Sequence, residues 1–359
     1  MRGLILSDGK PGHFNQSRAL CALLGLAAHE TQIEFKSELR EQLLRARMNL
    51  SQRSPSNIPE LLGLLGYFVS EPCLTALQSM LSERPDVIVS AGSTLAATNL
   101  LIARAVGGKS IAMMRPNAIP LESFDVIVMP EHDRRSKNPA NAVFTPVALS
   151  YFDAARIETA DAELARRFGC DVLKNRPIAL IVGGNSKVFD MTDDDVLEAA
   201  EISWSWASKQ KCGLVGTTSR RTAPSLERKL QAEFEKKKDA HWIWGRTDTF
   251  NPLPALLPRA SAAVVTEDSI SMISEAIIQG HRPLVLELKK RRASAKLAKF
   301  KKYLIDQKLA RWVQSADLAE VFRAESESLS KSPTIDLAAI RDEIMLKLGW
   351  SHQAKEKQA

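Results

Sequence analysis

Asp268, Ser269, Ser271 and Glu275 are the residues of this chain whose types and spacing most suggest chemistry. They lie within residues 264–286, which read as a buried strand, a short polar turn, a helix, Gly280 as its stop, and a second buried strand. The turn falls where strand hands over to helix. Asp268, Ser269 and Ser271 are therefore placed to cap the helix and leave its first N–H groups facing a ligand. Such an end suits an anion, because the unpaired N–H groups and the helix dipole both favour phosphate. Glu275 follows one to two turns on, placed to bond something polar beyond the phosphate. An ordinary βαβ unit with a well-capped helix fits the same residues.

Four further turns carry reactive or phosphate-binding residue types. Asp8-Gly-Lys-Pro-Gly-His13, followed by Asn15, reads as a loop after a strand. Gly9 and Gly12 would let a sugar or phosphate approach the backbone, or simply make a tight turn. Lys10 suits phosphate or solvent. His13 is the candidate base, since an imidazole is partly neutral near pH 7; holding the loop is its other reading. Gly92, Ser93 and Thr94 form a small-residue turn opening another helix. Gly183, Gly184, Asn185, Ser186 and Lys187 follow a buried strand, without the GxxxxGK[ST] spacing of a Walker loop and without GxGxxG. Thr217, Thr218, Ser219, Arg220 and Arg221 follow another, and guanidinium groups bind phosphate through paired hydrogen bonds.

Strands alternating with helices must position these turns. In the first half we expect strands at 3–7, 30–35, 86–90, 110–114 and 125–129. Helices are expected at 15–24, 38–50, 72–83 and 95–106. The pattern restarts after a linker near 146–160 and a charged helix at 150–168, with 170–176 turn-like. Strands are expected at 177–184, 213–217 and 241–244, with helices at 196–209 and 224–236. Thr192 is the expected N-cap of the first of these, with Asp195 at the capping-box position. This is an α/β chain of two Rossmann-like domains, residues 1–150 and 151–335, with a C-terminal helix or tail at 336–359 that returns toward the first domain. Ligands of such sheets sit at the carboxyl ends of the strands, where all five turns fall.

Composition narrows the classes. The chain has 359 residues, 45% hydrophobic and 25% charged, as in a soluble globular protein of two domains. Its four cysteines lack CxxC spacing, so neither a zinc site nor a disulfide framework is expected. No signal peptide or membrane-crossing run is apparent, which suits a cytoplasmic protein. The net charge of +7 favours an anionic partner.

The Asp-Gly-Lys-Pro-Gly-His run, the Thr-Thr-Ser-Arg-Arg-Thr run and the Thr-Glu-Asp-Ser-Ile-Ser-Met-Ile-Ser-Glu-Ala run together resemble the mitochondrial-fission, elongated-mitochondria family. The resemblance covers most of residues 1–320. Its bacterial members are regarded as glycosyltransferases. More distantly, the layout is similar to the GT-B transferase that adds N-acetylglucosamine to the lipid-linked peptidoglycan precursor. These resemblances imply a GT-B-like fold whose two domains face a central cleft. They imply a metal-independent glycosyltransferase with no cofactor, using a UDP- or other NDP-sugar as substrate, and a lipid-linked or cell-envelope acceptor. His13 would act as base beside an acceptor region of Asp8, Gly9, Lys10, Gly12, Asn15, Gly92, Ser93 and Thr94. Donor contacts would come from residues 183–187, Thr218, Ser219, Arg220, Arg221, Asp268, Ser269, Ser271 and Glu275. Two other readings stay open: a non-catalytic membrane scaffold, and a sugar-nucleotide epimerase.

Two stretches bear on location. Residues 58–69 are strongly apolar with basic neighbours Arg40, Arg45, Arg47 and Arg53, a pattern suiting a peripheral anchor on an anionic inner-membrane surface, or a core helix. Residues 289–302 are strongly basic, which suits solvent, anionic lipid or donor phosphates. Nucleic acid is not expected, because no recognised binding motif accompanies the charge.

Overall fold

The computed structural model describes residues 1–359 except 51–54, 118, 151, 153, 326–333 and 351–359. It divides into two compact units: residues 1–151 with 336–359, and residues 152–335. Arg53 lies outside the described residues.

The first unit is built on β1 (Arg2–Ser7), β2 (Ala27–Gln32), β3 (Val87–Ala91), β4 (Lys109–Met113), β5 (Val126–Pro130) and β6 (Ala142–Thr145). All pair in parallel, in the order β2-β1-β3-β4-β5-β6. The chain runs from β1 outward to β2, then crosses to the other side of β1 for β3. The switch point therefore lies between β1 and β3, the usual place for a ligand in an open parallel sheet. Helices α1 (Pro11–Leu23), α2 (Glu38–Leu50), α3 (Ile58–Phe68), α4 (Glu71–Leu81) and α5 (Ala96–Val106) connect these strands. Asn99 of α5 is buried and donates to Ile88 and Ile111 carbonyls and the Ser90 hydroxyl, fastening the helix over the sheet.

The second unit has β7 (Ile178–Ile181), β8 (Phe189–Asp190), β9 (Leu214–Thr217), β10 (Ala240–Ile243), β11 (Ala262–Thr266), β12 (Leu284–Leu286), β13 (Lys289–Lys290) and β14 (Arg311–Val313). Six of them make a parallel sheet in the order β10-β9-β7-β11-β12-β14, while β8 and β13 pair separately. Its switch point is between β7 and β11. The helices are α6 (Ala154–Phe168), α7 (Asp171–Lys174), α8 (Asp193–Lys209), α9 (Pro224–Phe234), α10 (Leu253–Leu256), α11 (Ile270–Ile278), α12 (Ala295–Asp306) and α13 (Leu318–Glu325). Thr192 caps α8 by accepting from Asp195 N–H, and its hydroxyl donates to the Asp195 carboxylate rather than leaving that carboxylate to the Thr192 backbone N–H of a full capping box. The last helix, α14 (Leu337–Lys347), belongs to the first unit, where Lys347 Nζ donates to the Ala140 carbonyl at 2.6 Å.

Several expectations need correction. Helix α1 starts at Pro11, not at 15, because proline at the first helical position loses no needed hydrogen bond. Gly12 and His13 are thus helical rather than loop residues. The second strand lies at Ala27–Gln32, three residues early, because Arg2 pairs with Ala27 and the ladder runs from there. Strands β6, β8, β13 and β14 have two to four residues each, too short to show a period. The segment 170–176 contains the short helix α7. No described helix is long and apolar enough to cross a membrane.

The apolar stretch at 58–69 is core. Leu61, Leu65 and Val69 are 0% exposed and pack with Leu44, Leu77 and Leu101 in the first unit's interior. Pro59, Glu60, Gly63 and Tyr67 are its exposed residues, and Leu62 and Leu64 are half-buried against the core, so its leucines face inward. Leu65→Glu would force a carboxylate into this interior. It should destabilise the unit by about 4 kcal/mol or more, read as a large fall in denaturation midpoint. A soluble variant of near-native stability would return Leu65 to the surface.

Candidate functional site

In the first unit the two turns flanking the switch point meet. The Asp8 side chain is 3% exposed and accepts from Lys10 Nζ at 2.8 Å and from His13 Nδ1 at 3.0 Å. Burial pulls the Asp8 carboxyl upward, but Lys10 and His13 together hold it below the ordinary carboxylate range. With Nδ1 engaged by Asp8, Nε2 is the ring nitrogen left over, and that atom has no partner among the described residues. Gly9 has φ +77°, a left-handed turn that favours glycine. Gly92 also has φ +77°, and a Cβ there would lie 2.8 Å from His13 Cε1. The imidazole therefore rests against the Gly92 backbone, and the two predicted loops form one site. A Cβ on Gly12 would meet only open space. Ser93 is occupied in accepting from Asn117 N–H. Asn15 and Thr94 are half-buried near the same edge.

In the second unit the ends of β7, β9 and β11 are knotted together. The Asp268 side chain is 0% exposed. Its Oδ2 accepts from Gly184 N–H at 3.1 Å and from the Arg221 guanidinium at 2.7 Å, and its Oδ1 accepts from the Thr266 hydroxyl at 2.7 Å. Gly183 N–H donates to Thr266 Oγ1 at 2.8 Å, and the Thr222 hydroxyl donates to the Gly183 carbonyl. A Cβ on Gly183 would overlap the Asp268 carboxylate, and one on Gly184 would overlap the Arg221 backbone. Only glycine fits either place.

Several predicted contacts turn out to serve the protein itself. Asp268 faces inward and does not cap α11; the cap is Ser269, whose Oγ accepts from Met272 N–H at 3.4 Å. The Thr218 hydroxyl binds Glu227 and Gly245 N–H. Asn185 Oδ1 accepts from Met191 N–H, and Ser186 Oγ accepts from Val188 and Phe189 N–H, which shapes the loop. Ser219 Oγ accepts from Arg221 N–H. Thr222 and Thr266 are members of the knot that sequence reasoning missed. Thr222 continues the Thr-Thr-Ser-Arg-Arg run, and Thr266 ends a buried strand with a hydroxyl, so a signal was present for both.

Other groups stay available. Lys187, Arg220 and Ser271 are exposed, and Lys187 and Arg220 make no ion pair with described residues. The N–H groups of Ile270 and Ser271 find no acceptor among the described residues. The carboxyl of Glu275, half-buried on α11, makes no hydrogen bond with described residues; burial pushes it up to about 7, against the pull of Arg156. Among the described residues no group of three or more His, Cys, Asp or Glu is placed to hold a metal ion.

The fold matches solved structures. The UDP-GlcNAc 2-epimerase of Methanocaldococcus jannaschii superposes with a TM-score of 0.57 at 13% identity, covering 98% of this chain and 100% of that one. The structure of the M. jannaschii enzyme in complex with UDP-GlcNAc and UDP gives 0.50 at 12% identity, with the same coverage. Identity at this level establishes the fold, which is GT-B-like, and no more. In sequence, an uncharacterized protein of Rickettsia prowazekii is 26% identical over 276 residues, 69% of this chain and 77% of that protein. A family model described as mitochondrial fission ELM1 matches residues 11–347, and the chain belongs to that family.

Proposed function

We propose that the chain is a glycosyltransferase that takes a sugar from a nucleotide sugar, a UDP-sugar in the first instance, and passes it to a lipid-linked or cell-envelope acceptor. The observation that carries this reading is the carboxyl edge of the second unit. Three strand ends converge there on a Gly-Gly turn, beside two arginines and a capped helix with free N–H groups. The fold shared with an enzyme known in complex with UDP-GlcNAc and UDP supports it. In this reading Arg220, Arg221, Lys187 and the N-terminus of α11 stabilise the leaving diphosphate, so the positive charge comes from the protein and not from a metal. Ser269 and Ser271 bond phosphate oxygens, and Glu275 accepts from ribose hydroxyls. In the first unit Asp8 orients His13, and Nε2 takes the proton from the acceptor hydroxyl.

The test is incubation with UDP-GlcNAc and product analysis. Transfer to a lipid acceptor supports the proposal. Epimerised UDP-sugar in the absence of an acceptor would make the chain an epimerase. No turnover of any nucleotide sugar would leave the non-catalytic scaffold.

Glu275 gives two linked expectations. Glu275→Ala should weaken UDP binding by about 1–3 kcal/mol, the scale of charged hydrogen bonds; calorimetry showing unchanged affinity removes Glu275 from the site. Its raised carboxyl also has a signature in the free protein. The folded chain holds this proton until about pH 7, whereas the unfolded chain releases it near 4.5. The resulting stability is present below 4.5 and is lost as pH rises toward 7. Glu275→Gln should therefore raise unfolding free energy at pH 8 by about 1–3 kcal/mol more than at pH 4.5. Equal effects at both pH values would refute the burial argument.

His13→Ala should lower turnover about 10²–10⁴-fold while UDP affinity stays near wild type. Comparable turnover would leave His13 as a packing group on Gly92.

With 58–69 in the core, we assign lipid contact to residues 289–302. They carry eight cations and no acid, one more than the net charge of +7. Co-sedimentation with phosphatidylserine vesicles, lost at high salt, is the expected result. Indifference of the chain to such vesicles would point to a soluble acceptor.

A further inference from the structure

The Asp268 carboxylate occupies a position built for an anion. It takes the Gly184 N–H and the Arg221 guanidinium through one oxygen. Of these two, Arg221 is a group that the proposed function assigns to diphosphate. Gly183 and Gly184 have no side chains because that carboxylate and the Arg221 backbone fill the space. Arg221 itself is 46% exposed, so its long side chain reaches from the buried acid toward solvent. Lys187 and Arg220 sit on the same two turns and stay unpaired among the described residues.

We propose that Asp268 is a specificity-determining residue that holds the anion position at this edge and so selects diphosphates over monophosphates. The proposal rests on the nucleotide-sugar reading. A monophosphate offers Arg221 a partner no better than the one it has. It also brings a second anion beside a buried carboxylate that stays in place. A diphosphate reaches further and engages Lys187 and Arg220, which Asp268 does not satisfy. Two further cations then face the second phosphate, whereas a monophosphate on Arg221 meets the Asp268 carboxylate without them. Discrimination of this kind comes from an unfavourable element aimed at the wrong ligand as much as from contacts to the right one.

The test is calorimetric titration of the full chain with UDP and with UMP. Wild type should prefer UDP. Asp268→Asn keeps the side chain's size and removes its charge. It should tighten UMP binding by about tenfold and change UDP binding by less than about threefold, so the preference shrinks. Equal weakening of both ligands in a folded variant, or an unchanged ratio, overturns the proposal and leaves Asp268 as a support for Arg221. A second variant avoids the buried position altogether. Lys187→Ala combined with Arg220→Ala, both exposed, should weaken UDP about tenfold and leave UMP unaltered. Equal losses for both ligands again overturn the proposal. A wild-type chain that binds neither nucleotide sinks the nucleotide-sugar reading itself, an outcome distinct from binding UDP with an unmoved ratio.

Discussion

One buried charge organises the second unit. A carboxylate with no solvent exposure is costly unless it is paired and hydrogen-bonded, and removing a partner from such a group typically costs about 3–5 kcal/mol. Asp268 meets the condition with donors from three different strand ends: Thr266 at the end of β11, Gly184 after β7 and Arg221 after β9. Those strands are neighbours at the middle of the sheet. Satisfying one acid therefore fixes three loops at once. It also dictates glycine at 183 and 184 and recruits Thr222 to close the turn from below. The loops at this edge share one electrostatic knot, which orients their groups toward one another.

The first unit solves a similar problem with a different strand order. Its switch point joins the loops after β1 and β3, and contact there is steric as well as ionic. His13 lies against Gly92, and Asp8 sets which imidazole nitrogen faces outward. In both units a glycine with no room for Cβ brings one loop against a side chain of another. The two units place their candidate sites by the same rule, at the point where the chain reverses direction across the sheet.

Much of this was legible in the residues. Buried runs such as Ile178–Ile181 and Ala262–Thr266 announce parallel strands by continuous apolar character. The capping box at Thr192 and Asp195 announces a helix start. The five strand-end turns follow once the strands are placed. What stayed hidden depends on partners distant in sequence. Nothing near Asp268 says that Arg221 reaches it across 47 residues, so its carboxylate looked free to cap a helix. Residues 58–69 look equally suited to lipid and to core, because an apolar face carries no record of what covers it; Leu44 and Leu77 cover this one. Short strands such as Arg311–Val313 exist because a neighbour supplies the ladder, which no local period reveals.

The division between satisfied and unsatisfied groups then becomes informative. Thr218, Asn185, Ser186, Ser219 and Asp268 all spend their side chains on the protein. Such groups build a shape and have little left for a ligand. Against that background, the groups without partners among the described residues stand out: the Ile270 and Ser271 N–H groups, Lys187, Arg220, the Glu275 carboxyl and His13 Nε2. Glu275 is the most telling, since a half-buried acid with no hydrogen bond is a local conflict in a fold that resolves its other acids at this edge. Conflicts of this kind persist where function maintains them. The set that remains is a row of donors, two cations and one carboxyl on the edge of one sheet, and a lone imidazole on the edge of the other. A nucleotide diphosphate asks for donors and cations to hold its phosphates and an acceptor to hold its ribose, and an acceptor hydroxyl asks for a base.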